Sequence, residues 1–426
     1  MTTLKVLVVG SGGREHALAW ALSNSPLLTR LYVAPGNPGT ATLAENVPIG
    51  VLDIPALVDF AVAHGIDLVV PGPEAPLVAG LADALAPTGV RCCGPTAAAA
   101  ALEGSKSFAK EICDAAGIPT ARWERFSDAA AALDFVARRG APIVIKADGL
   151  AAGKGVTVAA TEAEANAAIT ALLTENALGE SGATIVIEEC LTGEEVSLFA
   201  LCDGTACILL GAAQDHKRIG ENDTGPNTGG MGAISPPPGF PPDAQEAALD
   251  LFIRPALREM AARGTPYTGI LFAGLMLTPD GPKLIEYNVR FGDPETQALL
   301  PRLQSDLLPA LVAACDGELA QFSLSWLDLT CVSVVVAERG YPGAYAKGSP
   351  IGGIDRAAAV PHAAIFHAGT DLRDGHLVSA GGRVLTVCGT GPTATAARAA
   401  AYAAVEALDY PSGVYRRDIG KKDVLF

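Results

Sequence analysis

Apolar runs of strand length alternate with helical periodicities over residues 4–95. Leu4–Val9, Leu31–Ala34, Leu68–Val70 and Val90–Cys93 read as buried strands, and Glu15–Leu22, Ala56–His64 and Leu77–Leu85 read as helices. Alternation at this spacing predicts βαβ units on a parallel sheet. Six prolines, Pro35, Pro38, Pro71, Pro73, Pro87 and Pro95, fall where the loops of such a sheet belong. A helix-rich stretch, Thr96–Ala116, leads into a region of different style. Strands are predicted there at Pro142–Lys146, Thr157–Ala159, Thr184–Glu189, Glu195–Cys202, Ile208–Ala213, Leu271–Leu277 and Lys283–Asn288, with helices at Glu162–Leu173 and Asp243–Arg263. Turns such as Pro279–Pro282 between neighbouring strands predict antiparallel pairing and an α+β arrangement. From about Thr330 a third region carries strands Cys331–Ala337 and Arg383–Cys388 and an Ala-rich helix near Thr393–Leu408.

The 426 residues hold nearly three domains at about 150 residues each. With 30 Lys plus Arg against 46 Asp plus Glu, the net charge is −16, which argues against a nucleic-acid binder held by phosphate contacts. A 50% hydrophobic, 18% charged chain excludes intrinsic disorder. Mean hydropathy is high at +0.32. No uninterrupted apolar run reaches the about 18 residues of a membrane span, and Leu307–Cys315 is short and holds Pro309, so no membrane partner is expected. The nine cysteines are scattered without C-x-x-C spacing and read as reduced thiols of a cytoplasmic protein. Met1 runs directly into the Lys5–Val9 strand pattern, so no signal peptide is expected.

Four motifs carry candidate chemistry. "VLVVGSGGREH" places Gly10, Gly12 and Gly13 between a strand and a helix start, where backbone amides can meet an anion. A dinucleotide fingerprint needs glycine where Glu15 stands, which leaves a smaller anionic ligand or a plain tight turn. "IVIKADGLAAGKGV" joins Lys146 to a flap with Gly149, Gly153, Lys154 and Gly155. Its spacer is too short for a Walker A loop, yet a strand lysine and a glycine flap suit nucleotide phosphates; a surface hairpin is the bland alternative. "IEYNVRFGDPE" puts Glu286, Asn288 and Arg290 on one strand face. A carboxylate with an amide oxygen suits Mg²⁺, and Arg290 beside them suits a phosphate or carboxylate; an exposed polar strand face is the alternative. "QDHKRIGENDTGPNTGGMGAISPPP" is a long polar loop with Asp215, Lys217, Arg218 and the anion-donor candidates Thr228, Gly229 and Gly230. Asp293 follows Arg290 where an ordinary turn would also serve.

Together and in this order, these runs resemble the phosphoribosylamine–glycine ligase (glycinamide ribonucleotide synthetase) family, with "APGNPGTA", "VVPGPEAPL", "IEECLTGEEVSLFALCDG" and "RFGDPETQ" adding to the likeness over residues 6–304. The resemblance implies an ATP-grasp fold, α/β and α+β: an N-terminal parallel-sheet domain over 1–104, an ATP-grasp domain over 105–328 with a mobile lobe at about 124–194, and a C-terminal domain over 329–426. It implies ligation of glycine to 5-phosphoribosylamine at the expense of ATP, through glycyl phosphate, with Mg²⁺ or Mn²⁺ and as a monomer. Lys106 and Lys146 match nucleotide lysines, the Gly153–Gly155 flap covers the phosphates, and Glu188, Glu189 and Leu191 form the adenine-reading hinge. Glu195 matches the ribose carboxylate, and Glu286 and Asn288 match the metal pair. Arg290, Asp215, Lys217, Asp293 and the Thr228–Gly230 loop match the substrate and catalytic region. Gly12, Gly13, Asn37, Gly39 and Glu74 line the N-terminal crevice where phosphoribosylamine is expected. Rival readings are another ATP-grasp carboxylate–amine ligase or carboxylase, a nucleotide-dependent oxidoreductase, disfavoured by Glu15, and a non-catalytic ATP-binding protein with no need of a metal pair.

Overall fold

Both faces of the N-terminal strands are covered, which is why they read as unbroken apolar runs. In the computed structural model, which describes residues 3–151 and 155–421, five parallel strands lie in the order Glu45–Asn46, Leu28–Pro35, Leu4–Gly10, Leu68–Pro71 and Arg91–Cys92. Alternate residues of Leu4–Gly10 face opposite layers. Val6 and Val8 pack with Leu18 and Leu22 of the helix Gly13–Ser23, while Leu7 and Val9 pack with Leu57, Leu81 and Leu85. Each such fully buried side chain contributes about 1.5–3 kcal/mol. The loops after the strand ends lie along the carboxyl edge of the sheet, the edge at which open α/β sheets bind their ligands. The single helix predicted over Leu77–Leu85 is two, Ala75–Val78 and Leu81–Leu85, because Gly80 takes a left-handed φ of +89° between them.

A four-stranded antiparallel sheet, in the order Trp123–Phe126, Ile185–Glu189, Ile143–Ala147 and Val156–Ala159, forms a small lobe. It has its own core, in which Ile145 and Ile187 meet Phe135 and Val136 of the helix Ala129–Arg139 and Ile169 of the helix Glu162–Ile169. The large sheet runs Gly281–Asn288, Thr268–Thr278, Glu194–Asp203, Cys207–Asp215, Gly232–Ser235, Thr330–Glu338, Arg383–Gly391 and Ala363–His367. Gly232–Ser235 pairs with Cys207–Asp215 on one side and Thr330–Glu338 on the other. One continuous sheet thus joins the second and third regions across the boundary expected at 328–329. The amphipathic stretch Asp243–Arg263 is helical without a break from Pro242 to Ala262, but not α-helical throughout. It is Pro242–Ala248, a π-type turn Leu249–Ile253 and Arg254–Ala262, since Pro255 has no N–H to continue the ladder. Among the described residues no helix is long and apolar enough to cross a membrane.

Candidate active site

The small lobe and the large sheet are joined by residues 190–193, between Ile185–Glu189 and Glu194–Asp203, and Leu191 lies in this link. Strand alternation sends the two glutamates before it in opposite directions. Glu188 is buried, its Oε2 3.2 Å from Lys110 Nζ and its Oε1 3.0 Å from Lys146 Nζ. The Lys146 ammonium is not aligned to donate there, donating instead to the Ile285 carbonyl at 3.2 Å, so Glu188 Oε1 is a buried oxygen with no hydrogen-bond partner. Glu189 faces outward and pairs with Arg122 at 2.8 Å and Lys283 at 3.2 Å. Against a burial cost, the Arg122 amide and guanidinium and the Lys283 ammonium hold Glu189 down to about 2. Its carboxylate therefore ties the link to both flanking elements.

Across the cleft, Glu286 is half-buried near the end of Gly281–Asn288 and makes no hydrogen bond or ion pair with any described residue. Burial pushes its carboxyl up, but Lys217, Lys146, Lys106 and Arg290 outweigh that and hold it below the usual carboxylate range. Lys106 opens the helix Lys106–Ala116, anchored by its amide to the Asp148 carbonyl at 3.0 Å. A charged carboxylate with free oxygens, two residues from the Asn288 amide oxygen, fits a divalent cation. Among the described residues no three His, Cys, Asp or Glu converge into a metal cage, so a cation here would draw its other ligands from phosphates and water.

Behind Glu286 lies a cluster that cannot be fully ionised. Lys217 pairs with Glu195, and although burial opposes its charge, Glu195, Asp215 and Glu286 hold its pKa well above the ordinary value. Asp215 yields instead: burial raises it to about 8, aided by Glu295 and Glu195 and opposed by Lys217. Glu295, buried and accepting from Ser197 Oγ at 3.2 Å, is also raised by burial. Arg290 is largely committed. It donates to Glu74 at 2.9 Å, to the Phe291 carbonyl at 3.2 Å, and to Glu103 and Asn288 Oδ1 at 3.2 Å each. A guanidinium has about five N–H groups, so one remains for a ligand. Glu103, pushed by burial to about 7 against the pull of Arg290, also accepts from the Val289 amide at 2.7 Å.

Of the two readings open for the N-terminal glycine loop, the contacts within the chain favour the tight turn. Gly12 N donates at 2.6 Å to Glu15 Oε2, and Glu15 Oε1 accepts from Arg14 Nε at 2.6 Å. The anion at this helix start is therefore the protein's own. A Cβ on Gly10 or Gly72 would lie 2.4 or 1.8 Å from Glu15 atoms, and one on Gly13 would lie 2.5 Å from Gln297 Nε2. These glycines make room for Glu15 and Gln297. Asn37 is likewise saturated: Nδ2 donates to the Ser11 and His367 carbonyls at 2.9 Å each, and Oδ1 accepts from the Gly39 and Thr40 amides. Gly39 packs against His16 and His367 and lines a separate cavity of about 770 Å³ with Trp20 and Phe366.

The Thr228–Gly230 donors are also engaged. Thr228 Oγ1 donates to the Lys217 carbonyl at 2.8 Å and accepts from Gly230 N at 3.0 Å, while Gly229 N donates to the Tyr341 hydroxyl at 3.1 Å. Asp293 accepts from Gln297 Nε2 at 2.8 Å; burial opposes its charge, but Arg383 and Arg14 hold it below the usual range. Gly155 packs on Ala151 and Ala147. Gly153 and Lys154 lie outside the described residues. Sequence reasoning missed Lys110, Glu103, Arg14, Tyr341 and Arg383. Lys110 alone had a local signal, one helical turn after Lys106.

Family models for phosphoribosylglycinamide synthetase match along the chain: the N domain over residues 4–103, the ATP-grasp (A) domain over 104–296 and the C domain over 331–422. The phosphoribosylamine–glycine ligase of Mesorhizobium japonicum is 55% identical over 417 residues, 98% of each chain. That of Brucella melitensis is 54% identical over 421 residues, 99% of this chain and 98% of the relative. The crystal structure of the Thermotoga maritima phosphoribosylamine–glycine ligase superposes with a TM-score of 0.85 at 34% identity, covering 97% of this chain and 100% of that one. The biotin carboxylase domain of a Hydrogenobacter thermophilus 2-oxoglutarate carboxylase, solved with MgADP and bicarbonate, shares the fold at a TM-score of 0.72 and 17% identity, over 97% of this chain and 92% of that one. The continuous sheet, the two-lobed cleft and these matches together make the chain a member of the phosphoribosylamine–glycine ligase family, an ATP-grasp ligase.

Proposed function

We propose that the family's reaction, the ATP-dependent joining of glycine to phosphoribosylamine in purine biosynthesis, proceeds in this chain through glycyl phosphate formed in the inter-lobe cleft. A glycine carboxylate oxygen attacks the γ-phosphorus and ADP leaves. The phosphoribosylamine nitrogen then attacks the acyl carbon, phosphate departs, and the new amide is glycinamide ribonucleotide. The observation that carries the reading is Glu286, charged, free of protein partners and faced by Lys106, Lys146 and Lys217. Mg²⁺ or Mn²⁺ held by Glu286 and Asn288 would neutralise charge on the phosphates. Lys106 and Lys146 add positive charge to the same phosphates, so catalysis rests on positioning and electrostatics with no covalent protein nucleophile.

Glu188 Oε1, buried and ion-paired with Lys146 but without a hydrogen bond, is our candidate acceptor for an adenine amine, with Leu191 in the link beside it and Glu195 toward the ribose. Asp215, beside Lys217, takes the proton shed when the amine attacks in its ionised form, which prevails above about pH 8. Arg290 orders Asn288, Glu74 and Glu103 and keeps one N–H for substrate. Gly12, Gly13, Asn37, Gly39 and Glu74 shape the crevice for phosphoribosylamine through packing. The Thr228–Gly230 loop and Asp293 close it from the other side. We take the protein to act as a cytoplasmic monomer on these small molecules. Glycine labelled with ¹⁸O in its carboxylate tests the route. One ¹⁸O should appear in the released phosphate, and unlabelled phosphate would refute the acyl phosphate.

A further inference from the structure

We propose that Arg383, from the C-terminal part of the sheet, is a positioning residue for the ligase reaction. It sits at the start of Arg383–Gly391, pairing with Ala337 of Thr330–Glu338, so its backbone belongs to the rigid continuous sheet. Its Nη1 donates to the carbonyls of Gly229 and of Asp293, the latter at 2.6 Å, with Gly230 O at 3.4 Å, and Nη2 lies 3.5 Å from Asp293 Oδ2. One planar fork thus ties the polar loop to the Asp293 turn, a bridge that a lysine's point charge reproduces only in part. The loop leaves room for it: a Cβ on Gly229 would lie 3.0 Å from Arg383 Cζ, and Gly230 holds a left-handed φ of +107° against Pro294.

The loop cannot hold this shape alone. Glu221–Thr224 and Gly225–Asn227 are exposed and contribute no core. Its far end is fixed by Arg416, paired with Asp223 at 2.7 Å, and by Asp418, which accepts from the Asn222 amide at 2.8 Å. At the near end, Thr228 donates through both its amide, at 2.7 Å, and its hydroxyl, at 2.8 Å, to the Lys217 carbonyl. A shift of Gly229 is thereby passed to Lys217, whose ammonium stands among Glu195, Asp215 and Glu286. Arg383 acts on the chemistry through that chain of contacts and does not itself touch the reacting atoms.

The inference rests on the ligase reading, which wild-type turnover in the same assay tests separately. Steady-state rates are measured for Arg383→Ala, Arg383→Lys and Tyr341→Phe with ATP, glycine and phosphoribosylamine varied in turn, alongside melting temperature. Displacement of the loop on the scale of an ångström costs on the order of a hundredfold, so kcat of Arg383→Ala should fall by about that factor. The KM for ATP should change much less than kcat, since only Lys217, through Glu195 and Glu286, links the loop to the nucleotide side. Arg383→Lys should recover part of the loss, and millimolar guanidinium added to Arg383→Ala should raise its rate several-fold. Tyr341→Phe, which removes only the acceptor of Gly229 N, should lower kcat less than Arg383→Ala. A folded Arg383→Ala with kcat within about twofold of wild type overturns the proposal. So does a loss that neither lysine nor guanidinium recovers. If Arg383→Ala does not fold, unchanged kcat in both Arg383→Lys and Tyr341→Phe overturns it.

Discussion

The glycine loop at residues 10–13 and the inter-lobe cleft both carry sequence marks of an anion site, but the structure treats them differently. In the loop the anion is already present: Glu15 takes the Gly12 amide and pairs with Arg14, and the neighbouring glycines are the space it needs. In the cleft, the Glu286 carboxylate has neither hydrogen bond nor ion pair with any described residue although lysines surround it, and Glu188 Oε1 has an ion pair to Lys146 but no hydrogen bond. A saturated charge cluster holds a fold together, whereas an unsaturated one in a cleft is a place for a ligand. Whether the donors are engaged separates the two, and glycine spacing alone does not.

The contrast breaks most sharply under substitution of the two carboxylates. Glu286→Ala should lower kcat/KM by more than about a hundredfold while leaving the melting temperature nearly unchanged. Glu15→Ala should do the reverse. It removes the carboxylate paired with the buried Arg14, which keeps its bond to the Phe291 carbonyl, and frees the Gly12 amide, costing about 3 kcal/mol of stability in urea unfolding, while the KM for ATP stays near wild type. Equal effects of the two on turnover and stability would erase the distinction.

A smaller effect sharpens the packing half of the comparison. A Cβ on Gly72 would fall 1.8 Å from Glu15 Oε1, so Gly72→Ala should destabilise by about 1–3 kcal/mol. Neutral unfolding curves for that variant would mean that the loop has slack.

The junction beside the loop should respond to acid. His16 Nδ1 accepts from the His367 amide at 2.8 Å, and burial lowers the two imidazoles to about 3 and about 4 from an ordinary 6.5. Both native values lie below the unfolded one, so the unfolded chain binds protons first as pH falls through 6.5. Stability from these groups is complete above that pH and is lost progressively down to about 4 and below, at most about 1.4 kcal/mol per pH unit for each histidine. His16→Asn keeps an acceptor but cannot titrate. Its stability should depend less steeply on pH between 6 and 4, and an unchanged slope would count against the histidine pair.

The least effect is expected at the exposed latch of the link. Arg122→Ala removes one partner of Glu189, and with the Arg122 side chain largely solvent-exposed, unfolding should shift by at most about 1 kcal/mol.

Much of this was legible in the chain. Period-two and buried runs located the parallel sheet and most grasp strands because burial on both faces leaves no polar position to confuse them. The polar loop at 216–231 stood out because it has no apolar pattern. The long helix at 243–263 holds as one helical run, and the π-type turn before Pro255 leaves no mark in the hydrophobic periodicity. For the Gly10–Gly13 loop the sequence leaves an anionic ligand and a plain turn open, because Glu15, which takes the Gly12 amide, registers there only as an absent glycine. Asp293 and Arg383 are 90 residues apart, and nothing local announces that a guanidinium from the last region closes the loop. Such partners exist only once the continuous sheet is built.

The most direct test of the open cleft is calorimetric titration of ATP into the full chain, with and without Mg²⁺, for wild type and Glu286→Ala. Mg²⁺ should tighten ATP binding to the wild-type protein, and the Ala variant should lose most of that gain while retaining metal-free binding. A variant that keeps the full metal-dependent gain would contradict the assignment of Glu286, and with it the claim that unpaired charge marks the working site.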